Sequence, residues 1–159
     1  MKIIISTIFI SLFLISGCMM DNQLAKENKG PGIVDGHLLN CPDKPNCINT
    51  EYPEQTSHYL SPLDFPESKN EQIMTLAKTT LLEMGAEIIT ADNNYLAATF
   101  TSSLFKFTDD FELRLDNITH KLHIRSASRV GYSDFGVNKR RVELFLKLIK
   151  KQIKSSKNE

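Results

Sequence analysis

The chain has 159 residues, with 19 Lys and Arg against 19 Asp and Glu, so its formal net charge is zero. This length suits a single domain and excludes a long repeat array. Hydrophobic residues make up 41% and charged residues 24%, a balance that excludes a fully disordered chain. The neutral charge gives no reason to expect a nucleic-acid partner.

The amino terminus predicts a bacterial lipoprotein signal peptide. Lys2 precedes an apolar run over residues 3–15, which has the layout of a secretory signal and is too short to cross a bilayer comfortably. Residues 15–18 read Ile-Ser-Gly-Cys and resemble a lipobox. We therefore expect cleavage of residues 1–17 and acylation of Cys18, which would anchor the chain to a membrane. The alternatives are an ordinary cleaved signal and a short membrane anchor.

The residues after Cys18 indicate which membrane holds the anchor and how the anchor is linked to the domain. Met19 stands where many inner-membrane lipoproteins carry Asp, which favours the outer membrane, facing the periplasm of the bacterial cell envelope. Residues 18–36 are polar, end in Gly and Pro, and have no sustained period, so they predict a lipid-anchored flexible tether. The alternative is a terminal strand docked on the domain. We expect that single domain over residues 37–155.

Hydrophobic periodicity predicts the elements of this domain. Five prolines make residues 37–66 largely irregular. An apolar stripe of helical spacing follows over residues 67–84, and Gly85 stands at the expected C-cap. Four β-rich runs come next, at residues 86–90, 95–102, 111–115 and 121–128, and a second helical stripe runs from Val142 to Ile153.

This order of elements predicts an α+β fold. The four strands have short links, which favours a four-stranded antiparallel meander. Two helices would cover one face of it, giving a two-layer sandwich in the order helix, four strands, helix. The other face would carry charges and lie open to water or to a partner.

Two cysteines lie close together in the Pro-rich segment. Cys41 and Cys47 predict a disulfide, because an oxidising envelope favours one. With His37 and His58 they also form a conceivable zinc set, although the spacing matches no standard finger. Reduced, inert thiols are the third interpretation.

Charged residues concentrate in two segments, residues 107–112 and 125–138. The alternation of the strands pairs odd residues of the first with even residues of the second. A two-residue loop at 117–118 would place Asp110 opposite Arg125, Glu112 opposite His123, and Asp109 opposite Ser126. A slip of two residues would instead place Glu112 opposite Lys121 and Asp110 opposite His123. Asp109 shares the inward parity, and its nearest candidate partners along the chain are Arg129 and Ser126.

These charges admit three interpretations. The first is a structural network of ion pairs that fixes the strand register. The second is a site for an anion, held by arginines and a helix amino terminus. The third, acid–base catalysis by Asp109 and Asp110, is disfavoured because adjacent strand residues point to opposite faces. The candidate ligand-binding residues are Asp109, Asp110, Glu112, Arg125, Ser126, Ser128, Arg129, Ser133, Asp134, Asn138 and Arg141.

The motifs resemble a known family. They are Cys41-Pro42-x-x-Pro45-Asn46-Cys47, Phe107-x-Asp109-Asp110-x-Glu112, and Arg125-Ser126-Ala127-Ser128-Arg129-x-Gly131-x-Ser133-Asp134-x-Gly136-x-Asn138-x-x-Arg141. Together they resemble the uncharacterised family catalogued as domain of unknown function 1499, over about residues 37–153. Asn49-Thr50 and Lys139 depart from its usual Ser-Ser and Arg. The resemblance implies a small domain of bacterial envelopes or plastids and implies no activity.

We expect a lipid-anchored envelope protein whose domain is a non-catalytic binding module for an anionic small molecule or envelope polymer. The alternative is a structural protein that docks another envelope component through its charged sheet face. We expect no cofactor and no metal. An enzyme is less favoured, because the chain lacks a Gly-rich phosphate loop and an H-E-x-x-H motif. The eight Lys and Arg of residues 139–157 predict a solvated helix face or an anionic lipid contact.

Overall fold

The computed structural model describes residues 30–155. The predicted signal peptide, Cys18 and residues 19–29 lie outside the described residues. The described part contains two helices, a small two-stranded sheet and a six-stranded antiparallel sheet, which confirms the mixed α+β class.

The described residues form eight strands and two helices. The strands are β1 (Ile33–Val34), β2 (His37–Leu38), β3 (Cys47–Asn49), β4 (Leu63–Asp64), β5 (Glu87–Ala91), β6 (Tyr95–Thr101), β7 (Thr108–Asp116) and β8 (Lys121–Ser128). The helices are α1 (Ile73–Glu83) and α2 (Val137–Ser155), and a 3-10 turn covers Glu67–Lys69.

The large sheet contains the predicted meander and extends beyond it. Strands β5 to β8 are consecutive antiparallel neighbours, as expected. The expectation of four strands is wrong, because β3 and β4 both pair with β8 at the far edge. Both come from the segment expected to be irregular. Cys47–Asn49 and Leu63–Asp64 are short stretches between prolines, and their backbone N–H groups remain free to pair.

The two helices pack on one face of the sheet and form the core with it. The predicted stripe on α1 buries Ile73, Ala77 and Leu81, and α1 ends before Gly85, whose φ of +84° suits a residue without Cβ. From α2, Phe145 packs on Phe111 of β7 with ring centroids 5.2 Å apart. Both helical predictions are confirmed, although α1 begins at Ile73 rather than near residue 67.

The second face of the sheet is covered, which corrects the expectation of an open face and a two-layer sandwich. The amide of Gly32 donates to Glu112 in mid-sheet at 3.1 Å, and Glu112 is completely buried. A Cβ on Gly30 would lie 2.8 Å from that of Ala97, so this backbone lies directly on the sheet. Residues 30–36 therefore belong to the folded domain, as in the docked-strand alternative, and not to a tether.

The register between β7 and β8 differs from both expected registers. Glu112 lies opposite Arg125, and Asp109 lies opposite Ser128. The parity of the prediction holds, but the connecting loop has four residues, 117–120, rather than two. The carboxylate of Asp116 accepts hydrogen bonds from two amides of this loop, at 2.9 and 3.1 Å. This side-chain turn replaces the poor two-residue turn and shifts the pairing.

Candidate functional site

Asp109 forms an ion pair with the second helix. Its Oδ2 lies 2.9 Å from Nη1 of Arg141, near the amino-terminal end of α2. The guanidinium of Arg141 also lies over the ring of Phe100, 4.5 Å from the centroid, a cation–π geometry. We expected Arg129 or Ser126 as the partner, which is wrong, because α2 passes over the start of β7 and brings Arg141 to Asp109. The pair joins a strand to a helix.

Asp110 points to the opposite face and binds a different arginine. Nε of Arg129 lies 3.1 Å from both carboxylate oxygens, and its Nη2 lies 2.8 Å from Oδ1. Both side chains are about nine-tenths buried. This fork geometry fixes the chain that leaves β8 against β7. Asp109 and Asp110 therefore diverge, as the sequence indicated, and form no carboxylate dyad.

Glu112 is the most deeply buried carboxylate of the motif. It accepts hydrogen bonds from Nη1 of Arg125 at 2.8 Å and from the hydroxyl of Tyr95 at 2.7 Å. Burial raises the pKa of Glu112, and Arg125 counteracts that shift. Burial also raises the pKa of Tyr95, which stays a neutral donor. Nε of Arg125 is buried with no partner among the described residues.

Asn138 connects the strands to the start of α2. It is buried, and its Nδ2 donates to the carbonyl of Asn46 at 3.1 Å and lies 3.0 Å from Oγ of Ser128. Its Oδ1 accepts from the hydroxyl of Ser126 and from Nη1 of Arg141, the latter at 2.9 Å. One amide thus joins β8, α2 and the loop before β3.

The amino terminus of α2 is capped by the chain itself. The carboxylate of Asp134 accepts from the amides of Gly136 at 2.9 Å and Asn138 at 2.7 Å, and its carbonyl accepts from Val137 at 3.1 Å. Ser133 accepts from the amide of Phe135 at 3.2 Å. An internal carboxylate therefore occupies the donors that we expected an anion to use.

The charged motif thus forms two sets of contacts at one end of the sheet, one on each face. Asp109, Asp110, Ser126, Ser128, Arg129, Asp134, Asn138 and Arg141 meet there, Ser133 lies exposed on the adjoining loop, and Glu112 with Arg125 lies deeper under the cover. Each of the three arginines is matched by a carboxylate at 2.8–2.9 Å. Chemically, this arrangement neutralises charge and cross-links elements.

A second buried cluster surrounds Glu51, which lies outside all the sequence motifs. Its carboxylate pairs with Nε of Arg114 and with Nδ1 of His37 at 3.0 Å, and it accepts the amide of Leu38 at 2.9 Å. Nδ1 of His123 lies 3.8 Å away, and burial lowers the pKa of His123. No motif or spacing identifies Glu51, because its partners come from three distant segments.

The predicted disulfide is confirmed. Cys41 and Cys47 are bonded, with Cα atoms 5.6 Å apart. Both are buried against Ala127 of β8, so the bridge fastens the covering segment to the sheet. The zinc alternative required two thiolates, which the disulfide consumes. Nδ1 of His58 instead lies 3.0 Å from the carbonyl oxygen of Cys47.

An open groove of about 830 Å³ lies at the other end of the sheet. It runs between α1 and the two loops that hold Asn94 and Asn117. Thr75, Lys78 and the buried Leu96 line it as well. None of the eleven candidate residues lines this groove, so the charged motif and the groove are separate features.

Exposed apolar side chains cluster at the motif end instead. Two loops leave the sheet there, residues 102–107 and 129–136, and the amide of Arg129 donates to the carbonyl of Thr108 at their base. We call these loops together the loop end. Its exposed apolar side chains are Leu104, Phe105, Phe107, Val130, Tyr132 and Phe135. No sequence motif predicts them, although the run Leu-Phe-Lys-Phe interrupts the alternation of the strands.

The described residues contain no helix long and apolar enough to cross a membrane. Among residues 30–155 there is also no group of three His, Cys, Asp or Glu side chains placed to hold a metal ion. No curated protein and no solved structure matches the chain significantly. One family model does match, described as a protein of unknown function, DUF1499, and it covers residues 37–149. That match spans the disulfide, the ion pairs and the capped helix, and the chain belongs to the DUF1499 family.

Proposed function

We propose that this protein is a lipid-anchored component of the bacterial cell envelope whose domain is a non-catalytic docking module. The anchor is the acylated Cys18, and the location is the outer membrane facing the periplasm. The lipobox-like residues 15–18 and the following Met19 support this placement. The disulfide fits the same compartment, because disulfides persist in oxidising surroundings.

The observation that carries the docking role is the internal pairing of the charged motif. Arg125, Arg129 and Arg141 each bind a carboxylate of β7. An anionic ligand would have to displace a carboxylate that is already nine-tenths buried, at a considerable cost in free energy. This favours the interaction alternative over the binding of a small anion.

The docking surface differs from the one we first expected. The charged sheet face lies under residues 30–32 and Glu51, with Glu112 fully buried, so it offers no surface to a partner. The loop end adjoins the motif and carries six exposed apolar side chains. Exposed apolar patches of this kind mark interaction sites. The ion-pair network then holds the two loops at a fixed separation for docking.

Two measurements test this proposal. Mass spectrometry of the amino-terminal peptide from bacterial membranes should find an acylated Cys18, with Cys18→Ser as the unanchored control. The melting temperature of the chain should not rise when inorganic phosphate or a soluble phosphate polymer is added. A rise that Arg129→Ala abolishes would assign anion binding instead, and an unmodified Cys18 in the membrane fraction would contradict the anchor.

A further inference from the structure

We propose that the loop end docks onto the surface of the phospholipid bilayer to which the chain is anchored. This inference rests on the proposed function, because it takes the anchoring membrane as the partner. It assigns a second, non-covalent membrane contact to the folded domain. Its basis is the chemistry of the two loops, their charge, and the place where the described chain begins.

The apolar side chains of the loop end are unusually exposed for their size. Phe105 has 68% of its surface exposed and Phe135 has 89%, and Leu104 and Tyr132 are exposed as well. Phe105 and Phe107 stack on each other, with ring centroids 5.7 Å apart, and leave their outer faces to solvent. Phenylalanine and leucine side chains of this kind insert at the boundary between headgroups and acyl chains, and tyrosine prefers the same level.

Sharp turns and hydrogen bonds fix the backbone that carries these side chains. Lys106 and Phe135 have φ angles of +56° and +54°, left-handed conformations that turn each loop sharply. The amide of Phe107 donates to Oγ of Ser102 at 3.0 Å, and Nη1 of Arg140 donates to the carbonyl of Phe135 at 2.9 Å. The loops are therefore braced by hydrogen bonds while their apolar tips remain uncovered, an arrangement that costs free energy in water.

The charge beside these tips suits an anionic headgroup layer. Lys106, Lys139 and Arg140 are exposed within or next to the two loops. Loop 102–107 carries no acid, and Asp134 of the other loop has its carboxylate engaged by the amides that start α2. Cationic residues around inserted aromatic side chains strengthen the attachment to anionic lipids.

The position of Gly30 allows the lipid anchor on Cys18 and the loop end to contact the same membrane. Gly30 packs on Ala97, and β6 runs four further residues to Thr101 at the loop end, about 13 Å away. Eleven residues separate Gly30 from Cys18, and an extended chain of that length reaches about 40 Å at most. An anchor on Cys18 can therefore lie in the same leaflet that the loop end touches, which raises the local concentration of the second contact.

Single-tryptophan probes test this inference, because the natural chain has no Trp. Phe105→Trp and Phe135→Trp place the probe at the loop end, and Ile118→Trp is the matched control. Ile118 is 92% exposed, and it lies on the β7–β8 loop at the opposite end of the sheet. Each full-length chain is purified from membranes and reconstituted into vesicles of phosphatidylglycerol and acyl-brominated phosphatidylcholine.

We expect the emission of the vesicle-bound Phe105→Trp and Phe135→Trp variants to shift to the blue and to lose about half of its intensity to the bromolipid, as shallow insertion demands. The emission wavelength and intensity of the Ile118→Trp control should stay unchanged. Equal emission from all three variants on chains that float with the vesicles would overturn the docking surface and leave the anchor standing. Failure of the chains to float would overturn both proposals.

Two further outcomes distinguish docking from anchoring, and the bilayer from a second copy of the chain. Quenching at the loop end with an unmodified Cys18 would support docking and reject the anchor of the proposed function. A blue shift without bromolipid quenching, together with a mass that rises with protein concentration in ultracentrifugation, would assign the loop end to a second copy of the chain. That result would overturn the bilayer as the partner.

Discussion

Asp109 and Arg141 form an ion pair at 2.9 Å between the first residues of β7 and the first turns of α2. The two side chains are only 12% and 15% exposed, so water screens their attraction weakly. The same guanidinium contacts Phe100 and the amide oxygen of Asn138. One arginine therefore ties strand, helix and hydrogen-bond network together, and this explains why a charged motif can serve the fold.

Removal of the Asn138 side chain should destabilise the domain strongly. Asn138→Ala would leave the hydroxyl of Ser126 without its acceptor in a buried site, and the carbonyl of Asn46 would keep only the amide of Ser128 as a donor. We expect a loss of about 3 kcal/mol in the free energy of unfolding, because unsatisfied buried polar groups carry their full desolvation cost.

The control is the neighbouring Lys139→Ala. Lys139 is exposed, so its truncation should change the free energy of unfolding by less than about 0.5 kcal/mol. Urea unfolding of both variants measures the difference. A loss of under about 1 kcal/mol for Asn138→Ala would contradict the role of Asn138 as the junction of the network.

The sequence predicts some of these features and misses others for physical reasons. Helical stripes such as that of Ile73 to Leu81 and alternating strands such as β8 are local patterns, so they are visible directly. Strands β3 and β4 have two or three residues each and owe their pairing to the edge of β8. Nothing local encodes such strands.

The sequence predicts which residues belong to the charged motif, but it does not predict which of them contact each other. The motif residues do converge, but Asp109 pairs with Arg141 rather than Arg129 or Ser126, and Glu112 pairs with Arg125 rather than with His123 or Lys121. The register depends on the side chain of Asp116, which builds a four-residue turn that the pair Asn117-Ile118 does not announce. Arg141 reaches Asp109 only because α2 folds back over the sheet, a tertiary event beyond any pattern of spacing.

Loss of the disulfide should weaken the domain moderately. The bridge joins residues only six apart, so it removes little entropy from the unfolded chain, worth about 2 kcal/mol. The double variant Cys41→Ser/Cys47→Ser should lose about 2 kcal/mol of unfolding free energy and therefore melt at a lower temperature. A reductant should lower the melting temperature of the natural chain equally and leave the double variant unchanged. An unaffected natural chain would argue against a stabilising bridge.

His123 should make stability depend on pH on the acid side. Burial lowers its folded-state pKa below the ordinary 6.5, while Glu51 opposes that shift and Arg114 adds to it. Between the folded and unfolded pKa values the unfolded chain binds more protons, so stability falls as the pH drops below about 6.5. A single proton limits this contribution to about 1.4 kcal/mol per pH unit.

His123→Gln should therefore flatten the stability profile below pH 6.5, as followed by urea unfolding at several pH values. His37→Gln is the control, because it removes an imidazole from the same Glu51 carboxylate at the surface. If the stability of His123→Gln depends on pH as steeply as that of the wild-type chain, a group other than His123 causes this pH dependence.

The central claim is that the charged motif holds the fold together, and a double-mutant cycle on Asp109 and Arg141 tests it most directly. Asp109→Ala, Arg141→Ala and the double variant are compared by urea unfolding with and without inorganic phosphate. We predict a coupling energy of about 2 kcal/mol that phosphate leaves unchanged. Additive effects within about 0.5 kcal/mol, or a natural chain that phosphate stabilises, would contradict the claim.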